Sequence, residues 1–328
     1  MNILYIGGNG NISWWCSQAN LEQGHKVWHL NRGLRQGRPV SSAVQHIQAD
    51  LWDQKQMLAL SQRWKDEGVY FHGIADFMCF SPEHARLRAQ CFAGLTDQYI
   101  FISSASAYVK PLPPGPITEN TPLGNPHWEY SRQKQQCEEF FLEQHKLGIL
   151  PCTIVRPSHT YDTVFPVALG DMGYTVPRRL LAHKPVVIHD QGETLWTLTH
   201  SSDFAQAFAK ITGNPATLGE SYHITGDQVL TWKEIYRTLA ELLEVPLNAI
   251  YMSSAEIAQA YSEMGPGLLG DKAWNAVFDN SKIKALCPEF GTKTPLKAGL
   301  AQTLAWFQED ATRQNWDAAL DAWMDSLK

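Results

Sequence analysis

Short apolar, β-prone runs alternate with stretches of helical spacing along the first half of the chain. Asn2–Ile6 is an apolar run too short for a helix, and it leads into Gly7-Gly8-Asn9-Gly10. From Ile12 to Leu21 the apolar residues return at helical spacing, and Gly24 closes that helix. His25–Leu30 reads as a second strand ending at Asn31-Arg32-Gly33. Val44–Gln48 reads as a third, followed by Ala49-Asp50-Leu51 and a helix over Gln54–Glu67. A fourth strand near Phe71–Phe77 runs into Met78-Cys79-Phe80-Ser81, Pro82 opens a helix through Ala93, and Gln98–Ser103 is a fifth strand. Such alternation predicts an α/β fold with a Rossmann-type, doubly wound parallel sheet. The ends of its first and fourth strands should line the ligand crevice.

The prolines between Lys110 and Pro126 exclude regular structure and predict a long functional loop. A helix over Trp128–Leu147 and a sixth strand at Cys152–Arg156, cut off by Pro157, complete the regular part. Beyond it the pattern loosens. It predicts a helix near Arg178–His183, a strand at Val186–His189, a helix over Ser202–Thr212, a strand at Ser221–Ile224 and a helix over Trp232–Leu243. In the tail, Trp316, Leu320, Trp323 and Leu327 recur at helical spacing, which predicts core packing. The expected organisation is a dinucleotide-type domain over residues 1–157 and a smaller C-terminal α/β substrate lobe over 158–328, with about 186–212 returning to the main domain.

Charge and composition narrow the function. The formal charge is 27 − 33 = −6 and no basic run stands out, so nucleic acid is not the expected partner. Met1 runs straight into the first strand and no segment reaches membrane-span length, so a cytoplasmic protein with no membrane partner is expected. The six cysteines form no CxxC pair, and the twelve histidines no HExxH. Buried free thiols and no metal are the expectation.

The glycine turn lies between a strand and a helix, where backbone N–H groups and a helix N-terminus can receive a pyrophosphate. It reads Gly7-x-x-Gly10-x-x-Ser13, with serine where a third glycine is usual. A glycine hairpin is the alternative; the helical pattern after Gly10 argues against it. At the end of the second strand, an acidic residue would suit the ribose of NAD and an arginine the extra phosphate of NADP. Asn31 and Arg32 stand there, with Arg35 and Arg38 behind. The expected cofactor is NADP or NAD with a lean to NADP, an ordinary basic surface loop being the alternative.

Tyr130 and Lys134 lie one turn apart on a single helix face. A tyrosine transfers protons near neutrality where a cation, such as an ammonium or an oxidised nicotinamide ring, favours its phenolate. Lys134 could supply that charge and also hold the cofactor ribose. An isolated YxxxK is usually a solvated helix pair; its neighbourhood gives this one weight. Ser103-Ser104-Ala105-Ser106 ends the fifth strand on the crevice side, where a serine can donate to the substrate oxygen that Tyr130 handles.

With Gly7-Gly8-Asn9-Gly10, Asp50-Leu51, Ser103 to Tyr108, Tyr130-xxx-Lys134, Val155-Arg156-Pro157, Thr199-His200-Ser-Ser-Asp203 and Phe278 to Lys282, the chain resembles an extended short-chain dehydrogenase/reductase of the NAD-dependent epimerase/dehydratase type. The resemblance implies Tyr130 as acid/base, Lys134 as ribose anchor and Ser104 as substrate donor, with Ser106 second. It places Gly7, Gly10, Asn11, Ile12, Asn31 and Arg32 along the cofactor, with Asp50 and Leu51 at adenine, and Phe77, Met78, Ser103 and Pro157 beside the rest. It implies a polar small-molecule substrate, a nucleotide sugar among the candidates, and a homodimer through the helices near 82–93 and 128–147. His159, at the pocket mouth, would bind substrate or simply line it. In nucleotide-sugar members an arginine precedes the Thr-His strand; here Leu195-Trp196-Thr197 stand there, leaving Arg178 or Arg179 as substitutes. Some relatives of this fold are redox sensors or stem-loop RNA-binding proteins, which is the alternative to an enzyme.

Overall fold

The structure, a computed structural model, describes residues 1–34, 37–170 and 173–327. Arg35 lies outside the described residues. The first half alternates β1 (Asn2–Ile6), α1 (Ser13–Glu22), β2 (Lys26–Asn31), β3 (Gln45–Gln48), α2 (Gln54–Asp66), β4 (Gly73–Asp76), α3 (Pro82–Phe92), β5 (Tyr99–Ile102), α4 (Glu129–Lys146) and β6 (Cys152–Pro157). After it come β7 (His159–Tyr161), α5 (Thr175–Leu181), β8 (Val186–His189), β9 (Leu195–His200), α6 (Ser201–Ile211), β10 (Ser221–Ile224), β11 (Val229–Thr231), α7 (Trp232–Leu242) and β12 (Ala249–Met252).

The main sheet has the order β10-β6-β5-β4-β1-β2-β3, with every neighbouring pair parallel. Alternate residues of each strand serve its two faces. Leu4, Ile6, Ile74, Tyr99 and Phe101 pack against Met57 and Trp64 of α2, Phe92 of α3 and Phe141 of α4. Ile3, Tyr5, Ala75, Ile100 and Ile102 pack against Cys16 of α1 and Phe204, Phe208 and Ile211 of α6. Because both faces are covered, β1 and β5 are near-continuous apolar runs. Chain order reverses between β1 and β4, so the crevice opens at their C-terminal ends.

A buried ion pair fixes that edge. Arg88 of α3 donates from Nε to Asp76 at 2.9 Å, Tyr99 donates to the same carboxylate at 2.6 Å, and the Met78 N–H donates to it at 2.7 Å. Arg88 and Asp76 are both fully buried.

The smaller lobe holds a three-stranded sheet, β11-β9-β7, and the parallel pair β8–β12. Residues 186–212 therefore divide: β8 pairs with β12 and β9 with β7 and β11, while α6 packs on the main sheet, which the later β10 extends. In the tail, Leu320 is buried, but Trp316 is 47% exposed and lies under the Arg178 guanidinium, so core packing does not hold for it. All six cysteines are free and buried. Among the described residues no helix is long and apolar enough to cross a membrane, and no cluster of His, Cys, Asp and Glu could hold a metal.

Candidate active site

Where β1 ends, Gly7 takes φ +84°, a conformation open to glycine, and a Cβ there would lie 2.5 Å from Met78 Cγ. A Cβ on Gly8 would strike the His29 ring. Ser13 explains its own departure from the glycine pattern. Its hydroxyl accepts from the Gly10 N–H at 2.8 Å and donates to the Gly7 carbonyl at 2.7 Å, so the side chain ties the turn across its mouth. No side chain caps the N-terminus of α1, and its first turn carries no acidic residue. The Asn11 side chain accepts from the Thr163 N–H at 3.0 Å, joining the turn to the lobe.

Gly7, Gly10, Asn11, Ile12, Phe77, Met78, Ser104, Ser106, Tyr130, Pro157 and His159 line one cavity of about 670 Å³. Tyr130 is half-buried against Trp128, ring centroids 4.9 Å apart. Lys134 is buried beside it, its Nζ 5.8 Å from the Tyr130 ring centroid. That ammonium donates to the carbonyls of Cys79 and Ile102, each at 2.7 Å, which fixes it between the ends of β4 and β5 and leaves one N–H to give. Ser104 and Ser106 share a hydrogen bond of 2.8 Å between hydroxyls, and Ser131 donates to Ser106 at 2.8 Å. Ser106 is thus occupied within the wall and Ser104 is the freer donor. Ser103 lies buried behind the wall, its hydroxyl without a partner.

Asn31, Arg32, Asp50 and Leu51 do not line this cavity. Asn31 sits at the end of β2 with its Nδ2 buried and unpartnered, while its Oδ1 accepts from Gly33. Arg32 is exposed, Asp50 accepts from the Trp52 N–H, and Leu51 is buried in the core. Arg38 is committed elsewhere: it makes a two-pronged pair with Asp162, its guanidinium 5.2–5.6 Å from the Trp14, Trp15 and Trp306 ring centroids.

At the substrate side, His159 is set edge-on to Trp196 and Trp232. Burial pushes its pKa well below the usual imidazole range, with Lys272 adding to the shift, so it is neutral at pH 7. Arg178 is a correction: it pairs with Asp321 at 2.8 Å and stacks on Trp316, outside the cavity lining. Arg179 is buried and pairs with the same carboxylate. The cavity instead takes Lys110, Trp128, Trp196, Asp271, Lys272 and Phe278, none of them foreseen as ligand contacts. Asn125 joins the two walls: its Nδ2 donates to the carbonyls of Ser106 and Gly270, at 2.8 and 2.6 Å.

Residues 85–225 match the model of the NAD dependent epimerase/dehydratase family. Over that segment, under half of its length, the chain is similar to this family. Among curated proteins, it is 26% identical over 253 residues to the chloroplast stem-loop binding protein of 41 kDa b of Arabidopsis thaliana, which covers 73% of this chain and 62% of that protein. The chain therefore spans less than two thirds of that relative's length. An epimerase structure from Methanothermobacter thermautotrophicus superposes with a TM-score of 0.77 at 15% identity, over 95% of this chain and 93% of the other. The dTDP-glucose 4,6-dehydratase of Bacillus anthracis, in complex with NAD, gives 0.71 at 18%, over 98% and 99%. At such identities the likeness is one of fold.

The NAD named by that family model fits the residues present. The uncapped α1 N-terminus opens on the cavity for a pyrophosphate. The buried Asn31 amide nitrogen at the end of β2 has no hydrogen-bond partner among the described residues. The lean to NADP finds no such support: the family model names NAD, Arg32 lies outside the cavity lining, and Arg38 behind it is paired with Asp162. Leu195 and Trp196 begin β9.

Proposed function

We propose that the chain is an NAD(P)-dependent enzyme of the epimerase, dehydratase or reductase kind, acting on a hydroxyl or carbonyl of a polar small molecule. One observation carries the reading: Tyr130 and Ser104 line the same cavity as the uncapped N-terminus of α1. Gly7, Gly10, Asn11 and Ile12 would hold the pyrophosphate, Asn31 a ribose, and Phe77, Met78 and Pro157 the remainder. When bound, the cofactor supplies the acceptor and donor of hydride. Tyr130 would take the proton from a substrate hydroxyl, or return it to a carbonyl oxygen, while Ser104 donates a hydrogen bond to that oxygen. Lys134 sets a fixed positive charge beside the ring that becomes negative when the proton leaves. A nucleotide sugar is the substrate named for the dehydratase neighbour, but the missing arginine weighs against carrying a diphosphate over to this chain.

The test is a fluorescence titration of the purified protein with NADH and with NADPH. Saturable binding of at least one is expected; binding of neither refutes the reading. The name of the Arabidopsis relative favours a second reading, an RNA-binding protein. A mobility-shift assay with a stem-loop RNA at physiological salt separates the two. Tight RNA binding without cofactor binding would select the second, against which the net charge of −6 stands.

A further inference from the structure

The same cavity holds charges that the proton-transfer set leaves unused. Lys110 opens the proline-rich loop and lines the cavity, yet it is only 6% exposed. Among the described residues, no hydrogen bond or ion pair engages its ammonium. The charges that act on it are Asp271, which attracts it, and Lys272, which repels it. Those two neutralise each other, Nζ to Oδ2 at 2.6 Å. Lys110 is therefore a largely buried cation on the cavity wall that no described group hydrogen-bonds and that the attraction of Asp271 offsets only in part, and burial pushes its pKa down from the usual ammonium range.

Its surroundings are built and not loose. Leu268–Lys272 is a single π-helical turn, a geometry enriched at functional sites. The Lys272 carbonyl accepts from three rings, His189 Nε2 at 3.1 Å and the indole N–H groups of Trp196 and Trp232 at 3.2 Å each. The Lys272 ammonium lies 4.4 Å from the Trp196 ring centroid. His159, 8% exposed, lines the cavity beside these rings as a neutral group that can share a hydrogen bond without adding charge.

We propose that Lys110, supported by Lys272 and His159, binds an oxyanion on the substrate, a carboxylate or a phosphate ester, so that the substrate is anionic. The inference rests on this cavity being the substrate site. A bound oxyanion would satisfy the buried ammonium and leave the Asp271–Lys272 pair intact.

The experiment is calorimetric titration of the full chain with inorganic phosphate and with malonate, each in the presence of NADH, on wild type, Lys110→Met, Lys110→Gln and Lys110→Arg. Wild type should bind at least one anion, with affinity lost by about tenfold or more in the Met and Gln variants and kept within a few-fold in Arg. Phosphate alone selects a phosphate ester and malonate alone a carboxylate. Equal affinity in wild type and both neutral variants, or no binding of either anion by wild type, overturns the proposal. Anion binding at the α1 N-terminus is common to all variants and cancels in the comparison. The two readings fail separately: NADH binding without a Lys110-dependent anion leaves the enzyme reading standing, and a Lys110-dependent anion without NADH binding leaves only the subsite.

Discussion

Replacing Ser13 by alanine tests whether the serine is a substitute for the family's glycine or a fastening of its own. The side chain is 1% exposed and its hydroxyl closes two hydrogen bonds, to Gly10 and Gly7. A neutral hydrogen bond contributes about 1 kcal/mol net, and a buried group left unpaired costs about 1–3 kcal/mol. Ser13→Ala loses both bonds and regains a few tenths of a kcal/mol from the better helix former. The expected loss is about 2 kcal/mol. Ser13→Gly loses the same bonds and adds the helix penalty of glycine, for about 3 kcal/mol. Urea unfolding followed by tryptophan fluorescence measures both, provided the slope with denaturant is unchanged. If Ser13→Ala lay within about 0.5 kcal/mol of wild type, or Ser13→Gly were the more stable variant, the fastening role would be refuted.

Tyr130→Phe should abolish turnover with NADH affinity near wild type, because the ring stays and only the proton-transfer group goes; surviving turnover would remove Tyr130 from its role. Asp76→Asn leaves the Arg88 guanidinium buried without its carboxylate and should cost about 3–5 kcal/mol, read as a fall in Tm. A double variant, Asp76→Leu with Arg88→Met, removes both buried charges and should recover part of it, the Tyr99 hydroxyl and the Met78 N–H still lacking their acceptor; a double variant no more stable than Asp76→Asn would contradict the ion-pair account. Burial, aided by His46, pushes His29 down to about 4. The unfolded chain then takes up this proton near pH 6.5 and the folded chain does not, so stability falls as pH drops from about 6.5 to 4, by up to about 3 kcal/mol. The stability difference between wild type and His29→Gln should change with pH over that window; a constant difference would show that His29 does not titrate as described.

The sheet was legible because strands covered on both faces, such as β1 and β5, are near-continuous apolar runs and are punctuated by glycine and proline. β8 and β10 coincide with the strands read at Val186–His189 and Ser221–Ile224. β7 was hidden, since three residues directly after Pro157 carry no period. The same contrast holds at the site. Tyr130 and Lys134 are one turn apart, and the partners of Ser13 lie three and six residues away, so local pattern could find the first and could have found the second. Arg178 and Arg38 pair with carboxylates 143 and 124 residues distant, which no local pattern records. Lys110 and Lys272 acquire a shared role only where the lobe folds back on the sheet, and no spacing along the chain records that.

Asn125 gives both of its amide protons away, one to each wall of the cavity. Parting the walls at that seam would strand a buried donor, at about 1–3 kcal/mol. The seam thus holds the serines after β5 and the π-helical turn in one fixed register. Substrate grip and proton transfer would then share a single geometry, set by one side chain that touches neither reactant.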